Sequence, residues 1–170
     1  MASTSSQSKL EYTTYNDFLI MRVVGYGNML CGETIESFFA QSANYAAAVI
    51  DLSQCIGMDS TFMGKLVLLN EENQDKYKCF YISYVSEKNR KALEDNGVIN
   101  YVKIHDIEMN SNLTWSQIQI IDNPEKRLRV MVEAHRRLAE ISERNREVYA
   151  PFLKSTKEMY IDNDKDKQNK

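Results

Sequence analysis

The sequence predicts an α/β fold, a mixed sheet with helices packed on it, and three observations carry that prediction. Apolar runs short enough for strands recur at Phe18–Val24, Ala46–Ile50 and Cys79–Val85. Between them lie stretches whose apolar residues step by three and four, as on one face of a helix. The run at 46–50 is apolar throughout and stops at Asp51, which is how a buried strand ends. Strands separated by helices of this length imply β-α-β crossovers, and so a sheet covered by helices on at least one face.

Taken in order, Leu10, Tyr12 and Thr14 alternate with their neighbours, Asn16-Asp17 marks a turn, and Phe18–Val24 completes a hairpin. Gly25 and Gly27 flank a loop. Asn28 then caps a helix whose apolar face is Ile35, Phe38, Phe39, Ala43 and Ala46. The strand ending at Asp51 leads through a loop to Ser60 and a helix reaching about Asn73. A strand at Cys79–Val85 follows, then a short helix, Glu87–Asp95, closed by Asn96-Gly97. Val98–Ile104 contains a last short strand. Residues 105–122 stay open: Thr114-x-x-Gln117 fits a capping box, but Gln117–Ile120 also alternates like a strand.

Past this point the pattern changes. Asn123-Pro124-Glu125 is a helix start, with a side-chain cap, proline at the first helical position and acid in the first turn. Met131, Ala134, Leu138, Ile141, Asn145, Val148 and Phe152 then form a seam of the kind that packs on another helix. Pro151 is expected to break this helix near Ala150. Two readings remain open for the seam: it folds back on its own domain, or it is a homodimer or partner-docking arm with Asn145 fixing the register. The organisation expected is an unstructured 1–9, a domain over 10–122, a helical extension over 123–161 and a disordered Asp/Lys tail over 162–170.

Composition narrows the function classes. At 170 residues and 43% hydrophobic content, the chain can bury a core of one domain with an appendage. The net charge of -3 is unevenly spread: residues 1–123 hold nine Lys/Arg against fifteen Asp/Glu, and residues 124–160 hold nine against six. An acidic body with a basic extension argues against a general nucleic-acid binder. Cys31, Cys55 and Cys79 show no paired spacing, which reads as free thiols in a reducing cytoplasm. The Ser-rich start has no apolar core of a signal peptide, and no apolar span is long enough for a bilayer, so no membrane and a cytoplasmic location are expected.

Few residues form a chemical constellation. His105 and His135 have no Ser or Cys at a motif spacing and read as solvated surface side chains. Gly25-x-Gly27 lacks the other residues of a phosphate loop. Asp51 and Asp59 could pair around magnesium, but Asp51 at a strand end reads better as a turn or cap residue. No enzyme, no resident metal and no cofactor are expected. What stands out is Asp59-Ser60 at the strand-to-helix junction. A hydroxyl there can cap the helix, and a phosphate there would meet free amides and the positive end of the helix dipole.

The residues of this junction, Asp51-Leu52-Ser53 followed by Met58-Asp59-Ser60-Thr61 and Gly64, resemble the signature of STAS domains, specifically the bacterial anti-sigma factor antagonists. The likeness covers roughly Leu10–Ile107, and the element order agrees with it. The resemblance implies a STAS-like mixed sheet and a partner switch. Ser60 would be phosphorylated by a histidine-kinase-like serine kinase that is also an anti-sigma factor, and a PP2C-type phosphatase would remove the phosphate. Thr61 is a second acceptor that the spacing allows. Asn28, Asp59, Ser60, Thr61 and Phe62 would face the partner. Phosphate adds nearly two negative charges beside Asp59, so the bound state should lose at the interface with little internal rearrangement.

The chain departs from the family pattern in three places. Gly27-Asn28 lacks the aspartate that usually follows the first glycine, Phe62 replaces a small glycine, and the helix from Pro124 lies beyond the usual ending. A second reading is a STAS module that does not switch, either a scaffold or a sensor for a small apolar ligand, with Ser60 a helix cap only.

Overall fold

The computed structural model describes residues 8–42 and 44–168. Strands β1 (Lys9–Tyr15) and β2 (Phe18–Gly27) form the hairpin, with Asn16 at a left-handed φ of 51° in the turn. Helix α1 (Met29–Gln41) leads to β3 (Ala47–Asp51) and β4 (Cys55–Met58), and α2 (Ser60–Asn73) leads to β5 (Cys79–Ser83). Helix α3 (Glu87–Asp95), a 3-10 turn (Val98–Asn100) and β6 (Ser116–Ile118) precede the helices α4 (Arg127–Ile141) and α5 (Glu143–Gln168). The six strands form one mixed sheet in the order β5-β3-β2-β1-β6, with β4 also on β2. This mixed α/β architecture is consistent with a STAS-like fold.

The register explains the core. Leu19 pairs with Ala48 and Met21 with Ile50, and these pair in turn with Phe80 and Ile82, so one row of side chains crosses three parallel strands. That row joins Ile35 and Phe39 of α1 and Phe62, Leu66 and Leu69 of α2 in one buried cluster. Ile20 and Val49 point the other way, as alternate strand residues must, and are buried as well. Residues 105–115 run along that second side. His105 lies by the Tyr81 ring, the Thr114 carbonyl accepts from Thr13, and Trp115 stacks under the Arg22 guanidinium. Coverage on both sides is why β3 is buried at all five positions and reads as an unbroken apolar run.

Several local expectations change. Gly25 and Gly27 lie within β2, and the register shift after Gly25, at φ 90°, is where β4 takes over from β3 as the parallel neighbour. That β-bulge needs the conformational freedom of glycine. The strand expected in Val98–Ile104 is instead the 3-10 turn plus a single parallel bridge, Ile82–Ile104. The open stretch 105–122 resolves as a short strand, β6, antiparallel to β1. Asn123 accepts from the Glu125 amide, but regular helix starts only at Arg127.

The largest change concerns the C-terminal helices. The break falls at Ser142, which is extended and whose Oγ accepts from the Asn145 amide as the cap of α5. Pro151 instead lies inside α5. It costs the Glu147 carbonyl its helical partner, yet both residues are on the exposed side, where water can replace that bond. Of the tail expected to be disordered, residues 162–168 lie within α5 and 169–170 fall outside the described residues. Of the expected unstructured start, residues 1–7 lie outside the described residues and Lys9 already belongs to β1.

Helix α5 runs back along α4, since His135 meets Tyr149 and Phe152 while Leu138 meets Asn145. Helix α4 lies on α2, with Arg137 Nε donating to Glu71 at 3.0 Å. The seam therefore finds its partners within the chain: Ala134, Leu138 and Asn145 are buried, and Val148 remains 59% exposed. Asn145 Nδ2 donates to the Leu138 and Asn96 carbonyls, fixing the turn of the hairpin against the end of α3.

Phe62, expected to face a partner, is 0% exposed and fills the space left by two glycines. A Cβ on Gly27 would lie 2.7 Å from its ring, and one on Gly32 would lie 3.7 Å away. Phe62→Ala should therefore lower unfolding stability by about 3–5 kcal/mol, read as a shift of the urea midpoint. A loss under about 1 kcal/mol would return Phe62 to the surface.

Candidate functional site

The two parallel neighbours β2 and β4 end side by side. Gly27 pairs with Met58, and the Asp59 amide donates to the Gly27 carbonyl at 3.0 Å. The chain turns into a helix after each strand, so the starts of α1 and α2 lie together. Asn28 caps α1, its Oδ1 accepting from the Cys31 amide at 3.1 Å, and its Nδ2 donates to Ser8 Oγ. Asp59 caps α2, its Oδ1 accepting from the Phe62 amide at 2.7 Å. The Asp59 carboxylate also faces the Met29 amide, which joins the two helix starts. Asn28, Asp59 and Ser60 are thereby brought to one place, whereas Thr61 is only 5% exposed and Phe62 is core.

Ser60 is half-buried, and its hydroxyl is engaged from across the chain. Ser60 Oγ lies 2.8 Å from His135 Nε2, and His135 Nδ1 lies 2.8 Å from the Met131 carbonyl. A carbonyl can only accept, so the network assigns the proton to Nδ1 and leaves Nε2 to accept from the Ser60 hydroxyl. The Tyr149 phenol also faces Ser60 and donates to Asn96 Oδ1 at 3.0 Å. The rings of Tyr149 and Phe152 lie 5.0 and 4.8 Å from the imidazole and hold it in place.

This overturns the sequence reading of His135 as a solvated side chain: it is 9% exposed and is the main contact to Ser60. His105 is exposed, as expected. Nothing in local spacing marks His135, because 75 residues separate it from Ser60. The available signal was its place on the seam, since position 135 adjoins Ala134 and precedes Leu138 by three.

Asp51 and Asp59 do not share a site. Asp51 is fully buried, binding Arg22 Nε and the Ser53 amide, each at 2.8 Å. Among the described residues no group of three or more His, Cys, Asp or Glu is placed to hold a metal ion, and no helix is long and apolar enough to cross a membrane. A separate cavity of about 270 Å³ opens beside the Arg22–Asp51 pair, lined also by Tyr84, Asn110 and Trp115. Tyr84 there takes a left-handed φ of 54°, which is strained for a residue with a side chain.

Burial shapes the charges at Ser60. It holds the His135 imidazole below its ordinary value of 6.5, against the Met131 hydrogen bond and the Asp59 charge, which pull the other way. Burial likewise raises the Asp59 carboxyl, against the amides of Phe62 and Met29 and the charge of His135. The cluster therefore favours neutral imidazole, as the hydrogen bonding requires.

No family model and no curated protein matches this chain. Among solved structures it is similar to a chain described as "The overall structure of SLC26A9", at a TM-score of 0.43 and 10% identity. The match covers 57% of this chain and 21% of that one, so this chain spans only about a fifth of the length of the structure it matches. A likeness at that level supports no inference about function.

A lowered imidazole value has a definite sign in stability. Between the folded value and 6.5 the unfolded chain binds the extra proton, so His135 stabilises the fold above pH 6.5 and that contribution is lost as pH falls. Asp59, with a raised value, acts in the opposite sense over its own window above 3.8. Urea titrations at pH 7.5 and 5.5 should show a loss of stability on acidification that is smaller in His135→Gln. Equal losses in both proteins would remove His135 from the pH response.

Proposed function

We propose that this chain is a STAS-type phosphorylatable switch of the anti-sigma factor antagonist kind. In this reading a histidine-kinase-like serine kinase, which also serves as the anti-sigma factor, transfers phosphate to Ser60. A PP2C-type phosphatase removes it, and the unphosphorylated form binds the kinase. The observation that carries the reading is the position of Ser60. It is the first residue of α2, next to the Asp59 cap and beside the Asn28 cap of α1, so the hydroxyl-bearing residue of the signature lies at the joined helix starts, while Met58 and Thr61 are buried beneath it.

The physical effect follows from charge. A phosphoserine carries nearly two negative charges at neutral pH, and here it would stand beside Asp59 in the acidic part of the chain. A partner surface shaped for a neutral hydroxyl would lose affinity on desolvating that group. Regulation of transcription through partner exchange is the output this reading supports.

The cavity beside Arg22 favours the second reading, a sensor module. Its strained Tyr84 and its Arg22–Asp51 pair suit a small polar ligand better than the apolar one expected from the sequence.

Incubation with a histidine-kinase-like serine kinase of the anti-sigma factor kind and ATP should add one phosphate by intact mass, and Ser60→Ala should abolish it. Phosphate that persists in Ser60→Ala would sink the assignment of the site. No incorporation, together with a thermal shift by small polar compounds that Arg22→Ala removes, would favour the sensor.

A further inference from the structure

The helical extension covers the residue on which the proposed switch depends. The α4–α5 hairpin lies over Ser60: His135 of α4 holds its hydroxyl at 2.8 Å, and Tyr149 of α5 stands beside the imidazole with its phenol bonded to Asn96. The imidazole is fixed by the Met131 carbonyl on one side and by two aromatic rings on the other. At 2.8 Å between Oγ and Nε2 there is room for a hydroxyl proton and for nothing larger. A kinase could not bring the γ-phosphorus of ATP to Ser60 Oγ with His135 in that place.

The docking is adapted to be close. Gly64, one turn along α2 from Ser60, meets the backbone of α4: a Cβ there would lie 2.5 Å from the Ala134 carbonyl oxygen. Ala134 and Gly64 thus let the two helix backbones approach, which places the next residue, His135, over Ser60. Charge supports the same contact, because the basic extension sets Arg137 against Glu71 of the acidic body. Residues 119–126, outside any regular element, join the hairpin to β6, and the Ile121 amide is held there by Thr34 Oγ1.

We propose that the α4–α5 hairpin is a built-in occupant of the Ser60 face: docked, it withholds Ser60 from the kinase, and phosphate on Ser60 prevents it from docking in the same position. This rests on the reading of Ser60 as a phosphate acceptor. In the transfer the bond from the γ-phosphorus to ADP breaks, the bond to Ser60 Oγ forms, and the hydroxyl proton passes to the kinase's base. The product replaces a donor hydroxyl by an anion facing the lone pair of neutral His135 and the Asp59 carboxylate. Protonating His135 would turn that repulsion into attraction, but its burial opposes the charge. The switch is then an internal exchange of occupants as well as an interface event, which amends the expectation of little internal rearrangement.

The test uses the full chain and needs no kinase in two of its arms. Ser60→Cys, alkylated with iodoacetamide and read by peptide mapping, should react slowly, and about tenfold faster when Gly64→Ala is added to lift α4. Equal rates in the two backgrounds would overturn the proposal. Phosphoserine installed genetically at position 60, with Gly64 retained, should raise amide hydrogen exchange in α4 and α5 about tenfold while the sheet stays protected. Unchanged or slower exchange would overturn it, the latter by showing that phosphate tightens the hairpin. Kinase treatment of Gly64→Ala and wild type is the third arm. Faster incorporation in the variant supports gating, and equal rates refute it. Absence of incorporation in both counts against the phosphate-acceptor reading alone, and occlusion by the hairpin still stands or falls on the other two arms.

Discussion

The close crossing of α4 over α2 at Ala134 and Gly64 is the constraint on which the rest of this structure depends. Backbone-to-backbone approach is possible only where one helix offers no side chain, and Gly64 is that place. From it follow the burial of Leu138, the turn held by Asn145 against Asn96, and the position of His135 on Ser60.

A second constraint sets the other half of the site. Because β2 outruns β3 and the bulge after Gly25 lets β4 take up the vacated edge, two strands end together and two helices start together. Asp59 then bridges both starts, and Phe62 fills the gap beneath them against Gly27 and Gly32. The bulky residue at 62, which looked like a candidate contact, is the packing complement of two missing side chains. Polar caps above and an aromatic core below hold Ser60 in a fixed position.

The electrostatics of the face are those of a site kept neutral. Burial works against charge on both His135 and Asp59, and the hydrogen bonds among Ser60, His135 and Met131 are satisfied with a neutral imidazole. Charge added at this cluster would meet only part of the solvent that an exposed side chain has.

Much of this was legible in the sequence, and what was legible is local. The hairpin, β3, β5, helices α1 to α3, the Asn28 cap, the left-handed Gly97 and the placement of Ser60 at a helix start depend on residues within about four positions of one another, so periodicity and turn chemistry suffice to read them, whereas β4 lies in what reads as a loop and the cap of α2 is Asp59 rather than the Ser60 hydroxyl. The seam of α4 was legible too, but not its partner. That it packs on its own domain, where the hairpin breaks, and that His135 reaches Ser60 were decided only by the tertiary structure. Helix spacing states that a face must be covered and leaves open by what. Here the answer rested on a glycine in a different helix, 70 residues from the alanine it admits.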